Sequence, residues 1–145
     1  MGVTVLVRGR RRGVSAVRVR RQARAVLDAL DEASADLTIS LVDDAEIHRL
    51  NRSYRGKDRP TDVLAFAMRE GTRAPGDEAI LGDVVISLDT AARQAANRGA
   101  SLEDEVATLL IHGVLHLLSY DHERSPSEAR RMQRKERAIK AALSQ

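Results

Sequence analysis

The sequence predicts an α+β fold: four short strands and about five helices in one domain spanning residues 1–145. Three observations predict it. Residues 3–7, 37–42, 63–67 and 80–86 form short runs rich in Val, Ile, Leu and Ala, with few polar breaks, as suits a pleated, half-buried surface. Between and after these runs, apolar residues recur at helical spacing in segments opened by Ser, Asp or Pro. The connections also differ in kind. A helix separates the first two runs, as a parallel crossover requires, whereas a short Gly- and Pro-rich segment separates the last two, as suits an antiparallel hairpin.

The first strand leads into a basic turn, Arg8-Gly-Arg-Arg-Arg-Gly13, which reads first as a solvated loop and second as a phosphate contact. Ser15 caps a helix reaching to about Ala35, with Val19, Ala23, Val26, Leu27 and Leu30 as its buried stripe. Arg18, Arg20, Arg21 and Arg24 lie mostly off that stripe and face water. After the second strand, Asp43 or Asp44 can cap a short helix over Ile47 and Leu50 that ends near Tyr54. His48, flanked there by polar residues, reads as a surface residue. A polar segment from Asn51 to Asp62 precedes the third strand, and residues 69–78 read as a mobile hairpin loop. The fourth strand carries Asp83 within an apolar run, so that carboxylate is either paired or at an exposed end. Ser87 or Asp89 starts a helix over Ala91, Ala92 and Ala95 that ends at Asn97 or Gly99.

Ser101, with Asp104 three residues on, has the form of a capping box for the next helix. Its stripe of Leu102, Val106, Leu109, Leu110, Gly113 and Leu117 faces the sheet. The chemistry concentrates at the end of this helix, in His112-Gly-Val-Leu-His116-Leu-Leu-Ser-Tyr-Asp-His122, which holds three of the four histidines. His112 and His116 leave one helix face a turn apart. His122 can join them only if the helix stops soon after Leu117 and the chain turns back. Three neutral imidazoles converging in this way make a metal site with a fourth position open to water. Glu105, in line two turns earlier, can orient a ligand, although a first-turn carboxylate is favoured by the helix dipole alone. Ser125-Pro126 opens a last helix, strongly basic through Arg130, Arg131, Arg134, Lys135 and Arg137.

The spacing of the three histidines matches the elongated metalloprotease motif H-E-x-x-H-x-x-G-x-x-H. Gly113 stands where the peptidase general base would be, and Ser119 where the motif has Gly. The metal geometry of a peptidase is therefore present without its base. No cysteine is present, so a zinc site must use imidazole and carboxylate. Aromatic residues make up only 2% of the chain, which argues against a base-stacking surface of the single-strand-binding kind. No apolar run reaches membrane-spanning length and no signal-peptide core opens the chain, so a cytoplasmic protein is expected.

Two further segments accompany the histidines. One is Leu50-Asn51…Tyr54-Arg55-Gly-Lys-Asp58-x-Pro60-Thr61-Asp62-Val63-Leu64-x-Phe66; the other is Leu81-Gly82-Asp83-Val-Val-Ile-Ser87. Together the three resemble the YbeY family of endoribonucleases, the rRNA maturation factors, over roughly residues 37–123. The family pattern has Ser where Ala65 stands and Gly where Ser119 stands. The resemblance implies a small α+β fold with a four-stranded mixed sheet and a zinc-type site. It also implies a cytoplasmic endoribonuclease acting on single strands in rRNA processing, notably at the small-subunit 3′ end, and in ribosome quality control. His112, His116 and His122 carry over as metal ligands, with one Zn2+ or another divalent transition metal per chain. Arg55 carries over as a functional arginine beside the site, and His112 as a residue also needed for activity. The expected partners are rRNA and the small ribosomal subunit, with ribosome-associated proteins a further class; neither membrane nor DNA is expected.

Read chemically, a three-histidine zinc with an open position brings its water's pKa toward ~7. Either that oxygen attacks a phosphodiester or the metal polarises the phosphate for a ribose 2′-OH, and a guanidinium such as Arg55 stabilises the charge that builds. Asp62, Asp83, Asp121 and Glu123 are the candidate general bases, and the metal-bound hydroxide itself is the alternative to them. Two other readings stay open. One is a peptidase or small amidase, against which the missing Glu counts; the other is a non-catalytic ribosome-assembly factor with a structural metal.

Overall fold

The structure, a computed structural model, describes residues 2–68, 80–118 and 125–143. Its elements are β1 (Val3–Val7), α1 (Ala16–Ala29), β2 (Asp36–Val42), α2 (Asp44–Arg55), β3 (Val63–Ala67), β4 (Ile80–Ser87), α3 (Leu88–Arg98), α4 (Leu102–Leu117) and α5 (Pro126–Leu143). The strands form one mixed sheet in the order β1-β2-β4-β3. β2 pairs parallel with both β1 and β4, and β3 pairs antiparallel with β4. The crossover and the hairpin expected from the connections are both present. The expected loop at 69–78 lies outside the described residues.

Local chemistry fixes most helix starts. The side chains of Ser15, Asp43, Ser87 and Ser101 each accept a hydrogen bond from the backbone N–H three residues on, which satisfies one of the donors a helix N-terminus leaves unpaired. Pro126 opens α5, and Ser125 Oγ accepts from the Glu128 N–H at 3.1 Å. α1 stops at Ala29, six residues before the end expected from its pattern. Asp31 turns left-handed at φ 58°, and the Glu32 N–H bonds back to the Leu27 carbonyl at 2.8 Å. This closes the helix by a local turn that apolar spacing does not encode.

The sheet is covered on both faces. Val84 and Ile86 of β4 join Leu37, Ile39 and Leu41 of β2 in the main core, together with the buried stripes of α1 and α4. Val42, Leu64 and Val85 face the other way and pack with Ile47 of α2. α5 lies outside the sheet against α4 and α1. β3 is an edge strand, so the sheet ends beside the histidine face of α4.

A polar network staples α2 to α3. Asp44 Oδ1 accepts from Ser87 Oγ at 2.6 Å and Thr90 Oγ1 at 2.7 Å, and its Oδ2 accepts from Arg93 at 2.8 Å. Asp89 accepts from the Asp44 N–H and from Arg12, so one arginine of the basic turn serves a structural tie. Partial burial pushes the Asp44 carboxyl upward, but the bonds from Ser87, Thr90 and Arg93 outweigh it and hold it below its ordinary 3.8. A depressed folded value means that the stabilisation is complete above the ordinary value and is lost as pH falls through the folded one. Asp44→Asn should lower stability by about 1–3 kcal/mol at neutral pH. In urea melts, its deficit against wild type should shrink on acidification below about pH 4. A deficit independent of pH would show that the Asp44 charge contributes nothing.

Candidate active site

α4 carries the first two histidines of the motif. Its seating depends on Gly113: a Cβ there would lie 2.7 Å from Val84 Cγ1 and 3.3 Å from Val63 Cγ2. Only a residue without a side chain lets the helix approach the sheet so closely. With Gly113 against β4, His112 and His116 lie along the helix flank, both partly exposed. Their Nε2 atoms are 3.0 Å apart, and the rings are tilted at 56° with centroids at 4.6 Å. Two imidazole nitrogens bound to one cation at about 2.1 Å would stand roughly 3.0–3.4 Å apart. The pair therefore fits a shared cation, and neutral imidazole suits zinc and its neighbours. α4 ends at Leu117, where the helical spacing expected it to stop. His122 itself lies outside the described residues, as do Ser119, Asp121 and Glu123.

A cleft of about 590 Å³ opens beside the two histidines, walled by α4, the edge strand β3 and the chain that follows α2. Among the described residues, Arg55, Lys57 and Arg59 line it together with a single carboxylate, Asp62. A tight turn brings the three cations to one place. Gly56 caps α2 in the left-handed conformation at φ 68°, and its N–H and that of Lys57 return to the carbonyls of Arg52 and Asn51. Asn51, only 2% exposed, donates Nδ2 to the Arg59 carbonyl at 2.9 Å and pins the turn. The wall is positive and polar, which favours a polyanion. Tyr54, next to Arg55 and 70% exposed, packs edge-on against Phe66 at 5.5 Å.

The candidate bases separate. Asp62 lines the cleft; its Oδ1 accepts from the Val63 N–H at 2.8 Å and its Oδ2 from Gln94 at 3.3 Å. Asp83 follows the strand alternation onto the face opposite Val84, away from the histidines, and burial alone raises its carboxyl. It is not a cleft residue. Glu105 is no orienting group for a ligand either. It is almost fully buried, with Oε1 at 3.0 Å from Arg98 Nη1 and no aligned hydrogen bond. His48 meets Asp58 at the surface, at 2.7 Å, as its polar neighbours predict.

A residue that the sequence reading passed over touches the site. Glu136 of α5 places Oε1 at 2.9 Å from His112 Nδ1. The signal was present: Glu136 shares one helical stripe with the buried Met132 and Ile139, although the surrounding arginines and lysine make α5 look uniformly solvated.

The model of the family described as endoribonuclease YbeY matches residues 7–144. The endoribonuclease YbeY of Geobacter metallireducens is 46% identical over 144 residues, covering 99% of this chain and 96% of its own. That of Aquifex aeolicus is 45% identical over 140 residues, covering 97% and 91%. The solution structure of TM1509 from Thermotoga maritima superposes with a TM-score of 0.64 at 25% identity, covering 97% of this chain and 89% of that one. With a family match across nearly its whole length, this chain belongs to the YbeY family of endoribonucleases.

Proposed function

We propose that the cleft is the active site of a cation-dependent endoribonuclease that cuts single-stranded rRNA precursors, including the small-subunit 3′ end, in the cytoplasm. Family membership supports endoribonuclease activity and a role in rRNA processing. No helix among the described residues is long and apolar enough to cross a membrane. The observation that carries the reading is the convergence of His112 Nε2 and His116 Nε2, at 3.0 Å, in the cleft that Arg55 lines. His112, His116 and His122 would hold one zinc or similar ion. When bound, such an ion supplies Lewis acidity and acidifies a water ligand.

The chain's own residues account for the rest. Lys57 and Arg59 draw the backbone of a single strand into the cleft, at a strength that falls with salt. Arg55 presents a planar guanidinium to the scissile phosphate, where charge accumulates on the non-bridging oxygens as the phosphodiester is attacked. Among the described residues lining the cleft, Asp62 is the carboxylate placed to accept a proton. Positions flanking the cut phosphate bind through backbone charge, so site selection falls to the ribosomal particle or to proteins bound on it.

Arg55→Ala tests this reading. RNA cleavage should fall by about 10²–10³-fold, the scale of losing one preorganised charge partner, while binding of the same RNA at fixed salt changes by less than tenfold. Unchanged cleavage would remove Arg55 from the chemistry. Equal loss of binding and cleavage would favour a non-catalytic assembly factor whose metal is structural.

A further inference from the structure

We propose that Glu136 is a positioning residue for the cation site: it fixes His112 as the Nδ1–H tautomer and so presents the Nε2 lone pair to the cleft. The inference rests on the cation reading above and adds to it a residue from the last helix, far from the histidine motif in sequence.

The geometry has two ends. At one, Glu136 Oε1 sits 2.9 Å from His112 Nδ1, a distance at which only Nδ1–H can donate to the carboxylate. At the other, His112 Nε2 faces His116 Nε2 at 3.0 Å. With the His112 proton committed to Nδ1, its Nε2 is an acceptor, and in the metal-free protein His116 supplies the proton between them. A cation entering there meets a His112 lone pair already aimed, and only His116 has to present its own. A carboxylate behind a ligating imidazole also makes that imidazole a stronger donor.

Glu136 is not needed to dock its helix. Met132 and Ile139, one turn to either side, are both buried, and Lys140 Nζ donates to Thr108 Oγ1 of α4 at 2.6 Å. Those contacts hold α5 against α4 with or without the carboxylate. A helix otherwise dense in arginine thus places an acid at the point where it meets His112, and the role left for it is to hold the ring.

The test compares full-length wild type, Glu136→Ala and Glu136→Gln. Zinc affinity is measured by competition with a chromophoric chelator, and the His112 tautomer by imidazole 15N shifts in the metal-free protein. Glu136→Ala should bind zinc about 10–100-fold more weakly and show mixed His112 tautomers. Glu136→Gln keeps a carbonyl acceptor, so it should retain the Nδ1–H form and recover most of the affinity. Wild-type affinity in Glu136→Ala overturns the proposal. So does equal weakening in both variants accompanied by equal loss of metal-free thermal stability, which would make Glu136 only a tether. Wild-type protein that takes up no zinc would instead overturn the cation reading beneath it.

Discussion

His116→Ala should lose bound metal and RNA cleavage together. The Nε2 atoms of His112 and His116 approach to 3.0 Å, as two ligands of one ion would. Removing one imidazole from the proposed set of three would leave two ligands, which hold a divalent ion weakly. Even a residue behind a ligand changes affinity by about 10–100-fold, so loss of a ligand itself should exceed about 10²-fold. His116 lies on the flank of α4 and is only partly buried, so the substitution need not unseat the helix. The measurement is metal content and cleavage of single-stranded rRNA carrying the small-subunit 3′ precursor end, on the same preparations. Wild type should hold about one ion per chain, the count that one three-histidine site allows. Metal lost with the fold intact but cleavage unchanged would detach the activity from this site and bring the non-catalytic reading forward.

The largest effect on stability should come from Gly82→Ala. Gly82 has φ +149°, and a Cβ there would overlap the Phe66 carbonyl oxygen and stand 2.9 Å from Leu117 Cδ2. The first neighbour is backbone of the adjacent strand and cannot turn aside. The cause lies in the sheet: the β2–β4 register shifts between Asp36 and Leu37, so that Asp36 lies opposite Ile80 but Leu37 opposite Gly82. An irregularity of this kind bends the strand and calls for a residue tolerant of unusual backbone angles. The strained backbone should cost about 1–3 kcal/mol and the overpacking about 1–3 kcal/mol more. Urea unfolding measures the sum. A change below about 0.5 kcal/mol, the range of an ordinary surface substitution, would show that the strand pair has room to shift. The same substitution should loosen the edge strand that walls the cleft, so cleavage should fall with stability.

What could be read from the sequence follows the range of the interaction that determines it. Ser15, Asp43, Ser87 and Ser101 act within three residues of themselves; Ser15 and Ser101 cap where the pattern places them, and Asp43 and Ser87 are each one of the two residues it offered. The connection types gave the strand directions, because a short link and a helical link reach different places. The end of α1 was overrun because Asp31 turns left-handed there, which Asp does only occasionally. Among the proposed site residues, Arg55, His112 and His116 do line one cleft. Asp62 and Asp83 were indistinguishable as candidate bases, because which face a strand residue takes depends on register with its neighbours. Glu136 was hidden for the opposite reason. It lies twenty-four residues beyond His112, and no local pattern announces that two helices will meet at that point.

The contact between Gly113 and Val84 bears on which chemistry the site can take. In the peptidase motif, the residue after the first histidine carries the general base, so this site looks one substitution away from another chemistry. Here that position is wedged against the sheet, with 2.7 Å of room where a side chain would begin. A glutamate could enter only if Val84 or the helix gave way, and the helix carries both histidines. Helix seating and the chemistry open to this position are therefore coupled: the glycine that lets α4 pack on the sheet also leaves no side chain there to act as a base.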